Sequence, residues 1–97
     1  MKGYWLILGG KVIDQDAQKI YGALWAPIAE RYHAKIKILD AETVIKEGQE
    51  KSRALVVEFP TYEDAKACYE SEAYQHALQF ALKGSTRELL LLEGTFA

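Results

Sequence analysis

The stretch from Arg53 to Gln75, RALVVEFPTYEDAKACYESEAYQ, constrains the fold more tightly than any other part of this chain. Its first seven residues alternate. Leu55, Val57 and Phe59 share one face of a strand, and Ala54, Val56 and Glu58 share the other. Pro60 ends the strand, because proline has no N–H to donate to a sheet ladder. Thr61 with Asp64 then gives the T-x-x-D form of a capping box. Ala65, Cys68 and Tyr69 follow as a helical stripe. Ser71 before Glu72 reads as a second cap with an acidic first turn. Tyr74, Ala77, Leu78, Ala81 and Leu82 repeat at helical spacing, and Lys83-Gly84 makes a conventional helix end.

The rest of the chain repeats that plan of strand then helix and adds two strands. Gly3 to Leu8, GYWLIL, predicts a strand with two apolar faces, Tyr4, Leu6 and Leu8 on one side and Trp5 and Ile7 on the other. Gly9-Gly10 reads as the strand exit, and no phosphate-cradling glycine pattern follows it. Asp14 or Asp16 suits the cap of a helix whose stripe is Ala17, Ile20, Tyr21, Leu24, Ile28 and Tyr32. Pro27 predicts a kink between Ala23 and Pro27. Ala34 to Leu39 alternates, with Ala34, Ile36 and Ile38 inward and Lys35 and Lys37 toward water, a pattern suited to a sheet edge. Asp40 to Ser52 is polar, with a turn signal at Glu47-Gly48 and a continuation of the strand past a bulge expected over Thr43 to Ile45. Arg87 to Glu93, RELLLLE, is the last strand.

This order, βαββαβ, predicts an α+β, ferredoxin-like fold in one domain over residues 1–97, a four-stranded antiparallel sheet with helices on one face. The first and third strands are then central, and the second and fourth are edges. One feature does not suit a lone copy. Leu89 to Leu92 is apolar on both sides, as is the first strand, while the helices cover a single face. Leaving several such side chains wet forfeits about 25 cal/mol per Å² of apolar surface. A second copy, sheet against sheet, is the simplest cover, and a homodimer is expected.

Charge narrows the partners. A formal net charge of −2 offers no basic footprint for nucleic acid and no polybasic segment for an anionic membrane. The longest apolar runs, Tyr4 to Leu8 and Leu89 to Leu92, are too short for a membrane span. Cys68 is the single cysteine, so an intrachain disulfide is excluded and a cytoplasmic location is the default expectation. His33 and His76 lie far apart with no third ligand at recognisable spacing, so no metal site is expected. No cofactor is expected either.

Glu58 is the leading candidate for chemistry. A carboxylate among apolar neighbours would have a raised pKa, suited to a general acid or base. The competing reading pairs it with a cation such as Arg53 or Arg87, or places it at the sheet rim. Tyr69 and Tyr74 flank the Ser71 break, where their phenols could line a cleft, or pack as large amphipathic residues. Tyr4 joins Glu58, Tyr69 and Tyr74 in the expected ligand-binding set. His76 lies beside the Tyr74 face as a second candidate acid or base. Cys68, Trp5 and Trp25 read as core.

The residues GYW at Gly3 to Trp5, EFP at Glu58 to Pro60 and Y-x-S-x-x-YQ at Tyr69 to Gln75, with the spacing to Glu93-Gly94, resemble the bacterial family called domain of unknown function 1330. The resemblance covers nearly the whole chain and implies a dimeric α/β-barrel, two ferredoxin-like protomers pairing their sheets. The wider group includes cofactor-free monooxygenases, isomerases, haem proteins and plain binding modules, so fold alone does not select an activity. This chain departs from the family pattern at Cys68, where tryptophan is usual, and at Ser71 to Gln75, where the family has SPEYQ. It also has Ala81 where an arginine is usual, and it lacks the glycine-rich ending of the second strand around Ala34 to Glu42. If that arginine holds an anion in relatives, Ala81 removes the contact. Two functions follow. One is a dimer that binds a small apolar or aromatic molecule in a pocket between sheet and helices. The other is a cofactor-independent monooxygenase- or isomerase-like enzyme using Glu58 or His76 as acid or base. Haem binding is a third reading, which a Soret band would reveal.

Overall fold

Strand β1 spans Lys2–Val12 and is followed by helix α1 (Gln15–Arg31), strands β2 (Lys35–Ile38) and β3 (Arg53–Phe59), helices α2 (Tyr62–Glu70) and α3 (Glu72–Gly84), and strand β4 (Ser85–Gly94). The structure, a computed structural model, describes residues 1–38, 44, 46–48 and 53–95. The strands form one sheet in the order β2-β3-β1-β4, each neighbour antiparallel. The central and edge positions are those that the βαββαβ order dictates.

Register sorts the strand residues into two faces. Trp5 lies between Val57 and Leu91, Ile7 between Leu55 and Leu89, and Gly9 between Arg53 and Arg87. All of these point toward the helices. Tyr4 lies between Glu58 and Leu92, and Leu6 between Val56 and Leu90, on the opposite face. Trp5, Val57, Phe59, Ala65, Cys68, Tyr74 and Ala77 build the buried core between sheet and helices. Trp5 is wholly buried, and its indole Nε1 donates to the carbonyl of Ala65 at 3.0 Å. That bond satisfies the one polar atom of a large apolar side chain. Gly3 lets α2 sit directly on β1, since a Cβ there would lie 2.6 Å from the Cα of Tyr62.

The caps are made as the sequence predicts. The Asp14 carboxylate accepts from the amide of Ala17, and the Thr61 hydroxyl accepts from that of Asp64, each at 3.0 Å. Ser71 joins α2 to α3 by serving both. Its hydroxyl donates to the Cys68 carbonyl at 2.7 Å and accepts from the Tyr74 amide at 3.1 Å. Helix α1 runs through Pro27 and ends in a Schellman arrangement. There His33 takes a left-handed conformation, φ 55°, and the Ala34 amide reaches back to the Ala29 carbonyl at 2.9 Å.

Two expectations need correction. Gly9-Gly10 is not the strand exit. β1 continues to Val12, with a register irregularity between Gly9 and Val12. The glycines keep this part of the strand bare so that the Arg53 side chain can lie across it. A Cβ at Gly9 would come within 3.0 Å of Arg53 Nη2. The last strand also begins earlier than Arg87, at Ser85, directly from the end of α3. The second strand is observed over Lys35–Ile38, and the expected end at Leu39 lies outside the described residues. Of the continuation expected over Thr43 to Ile45, Thr43 and Ile45 lie outside them too, and Val44 is an exposed residue not in a strand.

Candidate functional site

The sheet has a hollow on each side. A cavity of about 200 Å³ lies under α1 on the helix side. Trp5, Trp25, Leu55 and Val57 give it apolar walls, while Gln18, Tyr21, Arg53 and Arg87 give it a polar end. This polarity follows from strand register. Rows through Trp5 and Ile7 place apolar side chains in the middle of the sheet, and the next row, Arg53–Gly9–Arg87, places two cations beside a bare glycine.

Both guanidinium groups are held in place. Arg53 Nε donates to the Gly10 carbonyl at 3.2 Å, and its Nη2 donates to Ser85 Oγ at 2.8 Å. Arg87 lies over the Tyr21 ring, 5.3 Å from the centroid, and its Nη2 donates to Tyr74 Oη at 3.2 Å. The Tyr74 and Tyr21 hydroxyls are 3.1 Å apart, which completes a chain Arg87–Tyr74–Tyr21. Burial, foremost, raises the Tyr74 pKa, so its phenol stays neutral and can accept from Arg87. Among the described residues no carboxylate pairs with either arginine; the ion pairs found there are Lys2–Glu58 and Lys37–Glu58.

The open face of the sheet carries a shallower hollow of about 380 Å³, lined by Tyr4, Leu6, Val56 and Leu92 and by residues 93–95 at the end of β4. Leu90 and Leu92 are 48% and 44% exposed there. Glu58 sits beside this hollow, opposite Tyr4. Lys2 Nζ lies 3.0 Å from Glu58 Oε1 and Lys37 Nζ 3.8 Å.

Those lysines overturn the expected raised pKa of Glu58. The hydrogen bond from Lys2, above all, holds its carboxyl below the usual carboxylate value. Burial opposes the shift, and the charges of Lys2 and Lys37 and a hydrogen bond from Tyr4 add to it. A carboxylate held ionised in this way does not have the raised pKa of a general acid. The cation reading was right in kind, but the partners are Lys2 and Lys37. Arg53 and Arg87 lie on the other face.

The four residues expected to bind a ligand do not converge. Tyr4 and Glu58 are on the open face. Tyr69 and Tyr74 are on the helix side, where both rings pack against Trp5, with centroids 5.9 and 4.8 Å away. Tyr74 reaches the cavity indirectly, through its hydroxyl contacts with Tyr21 and Arg87, both of which line it. His76 is exposed on α3, edge-on to Phe80, beside a groove shared with Leu24, Pro27 and Arg31 of α1. Cys68 is a buried core thiol, and burial pushes its pKa up to about 12. Ala81 is also buried and is part of the packing.

Arg53, Arg87, Tyr21, Trp25 and Gln18 were not singled out from sequence as one site. The signal was present for the arginines, because Arg53 has the parity of Leu55 and Val57, and Arg87 that of Leu89 and Leu91. A charged residue in phase with two core-facing runs is a sign of a lined cavity. The α1 residues needed the helix to be placed. Among the described residues no group of three His, Cys, Asp or Glu side chains is arranged to hold a metal ion, and no helix is long and apolar enough to cross a membrane.

A family described as domain of unknown function, DUF1330, matches this chain over residues 2–95. The RPA0582 protein of unknown function from Rhodopseudomonas palustris is 14% identical with a TM-score of 0.74, over 99% of this chain and 84% of that one. A dimeric protein of unknown function and ferredoxin-like fold from Bacteroides fragilis is 12% identical with a TM-score of 0.55, over 96% of each chain. SnoaB, a cofactor-independent oxygenase from Streptomyces nogalater, is 9% identical with a TM-score of 0.59, over 99% of this chain and 95% of that one. At such identities the likeness establishes the ferredoxin-like fold. No curated protein matches the chain.

Proposed function

The chain belongs to the DUF1330 family, and on that footing we propose that it is a homodimer that binds a small apolar or aromatic molecule between sheet and helices. The observation that carries the binding half is the cavity under α1, with indole and aliphatic walls at one end and fixed polar groups at the other. Ligand sites are mostly apolar hollows with a few well-placed polar groups. The homodimer rests on the open face. Leu90 and Leu92 stand exposed beside half-buried Leu6, Leu8 and Val56, an apolar patch that a second copy would cover. The dimeric Bacteroides fragilis protein supports that arrangement.

The fold likeness to SnoaB favours a second reading, cofactor-independent oxygenation in the same cavity. That reading needs a base beside the bound molecule. Glu58 lies on the opposite face of the sheet, and His76 is exposed outside the cavity lining. These positions favour binding. Native mass spectrometry of the purified protein tests the proposal. The expected result is twice the chain mass with a retained small molecule or uptake of added aromatics. A monomer that takes up none would refute it.

A further inference from the structure

We propose that the ligand of the cavity under α1 is a small carboxylate built on a single apolar ring, its carboxylate held by Arg53 and Arg87. The inference rests on the reading that this cavity is the binding site, and it names the ligand class.

The cations are the first ground. A half-buried guanidinium without a counter-ion forfeits hydration that an anion would restore. Arg53 and Arg87 occupy one row of one face, separated by the residue with no side chain, and neither pairs with a carboxylate among the described residues. The second ground is spare donors. A guanidinium has five N–H groups. Among the described residues Arg53 engages Nε and Nη2, and Arg87 engages Nη2. Arg53 Nη1 and Arg87 Nε and Nη1 make no hydrogen bond among the described residues and are open to a ligand.

Preorganisation is the third. Ser85 and Gly10 anchor one guanidinium, and Tyr74 and the Tyr21 ring anchor the other. A planar fork fixed in advance loses less freedom when it grips a planar carboxylate. Size sets the body of the ligand. Cavities of roughly 150 Å³ admit a benzene-sized ring, and this one is about 200 Å³. The ring would lie against the accessible apolar lining, Trp25, Ile36 and Leu55. Cation and apolar wall at opposite ends select a molecule with the same division.

The probe is already in the protein, because both of its tryptophans line the cavity. Wild-type protein and the variants Arg53→Gln, Arg87→Gln and Arg87→Lys are titrated at constant ionic strength with benzoate, neutral benzyl alcohol and phenyl phosphate. Indole emission and calorimetry are read together, and circular dichroism checks folding. Benzoate is expected to bind wild type at least tenfold more tightly than benzyl alcohol. Each Arg→Gln change should erase most of that preference while benzyl alcohol binding stays within about threefold. Arg87→Lys should restore part of it. Equal affinity for benzoate and benzyl alcohol would overturn the carboxylate while leaving the cavity as a binding site. So would tighter binding of phenyl phosphate, or a preference unmoved by both Gln variants. Failure of every aromatic probe to bind folded wild type would overturn the binding reading itself, and the carboxylate with it.

Discussion

The two faces of this sheet are made from the same strands, residue by residue in alternation, and they treat charge in opposite ways. On the open face the one carboxylate buried among the described residues, Glu58, is neutralised within the chain by Lys2 and Lys37. Beside it stand exposed leucines, Leu90 and Leu92 above all, with Lys35 and Glu88 further out on the same face. On the helix side the hydrocarbon is packed against aromatic rings. There Arg53 and Arg87 are anchored by neutral groups and, among the described residues, meet no anion. A face whose buried charge is already paired suits a largely non-polar partner. A cavity whose held cations meet no anion among the described residues suits an anionic ligand. Charge accounting, more than shape, distinguishes the proposed interface from the proposed ligand site.

The largest expected effect lies in the core on the helix side. Trp5→Ala should remove about 3–5 kcal/mol of folding stability. Trp5 is wholly buried, touches the rings of Trp25, Phe59, Tyr69 and Tyr74, and donates to Ala65. Chemical denaturation reads this directly, and a loss under 1 kcal/mol would show that the aromatic cluster is not the core.

Next is the open face. Leu90→Asp should weaken self-association by on the order of 100-fold, because a two-fold interface feels each substitution twice and an unpaired buried charge is costly. The protomer should keep its helical signal. Sedimentation equilibrium checks it, and unchanged association would remove the leucine patch from the interface.

On the helix side Tyr74→Phe removes the hydroxyl between Arg87 and Tyr21 and should cost about 1.5–3 kcal/mol, the range for bonds to charged groups. A melt that shifts by less than a degree would mean the chain of hydroxyls does not hold Arg87.

Glu58→Gln should have the smallest effect, and it depends on pH. The folded carboxyl has a lowered pKa, so its contribution is present above the unfolded value, roughly 4.3, and is lost as pH falls through the folded value. Wild type should therefore lose stability faster than Glu58→Gln below about pH 5. Parallel curves would mean the lysine pairing is not formed in solution.

Much of this was legible before any coordinates. Alternation in Arg53 to Phe59, the proline stop and the Thr61 and Ser71 caps gave the strand and its two helices, because each signal is local. The doubly apolar β4 is visible in four consecutive leucines, and two of them are exposed as that pattern implies. What escaped depends on register. Glu58 looked like a carboxylate stranded on an apolar face. Its lysines come from other strands, Lys2 from β1 and Lys37 from β2, and only strand pairing brings them to it. Gly9-Gly10 looked like an exit because glycine usually weakens a strand. Its use here is to let an arginine from β3 lie across β1, a contact between residues 44 positions apart in the sequence.

The most direct test of the division between the faces is an isotope-filtered nuclear Overhauser experiment on a mixture of labelled and unlabelled protein. Contacts between subunits should appear at the methyl groups of Leu6, Val56, Leu90 and Leu92, and none should appear at Leu24 or Leu55 on the helix side. Intersubunit contacts confined to the helix side, or none at all, would contradict the account.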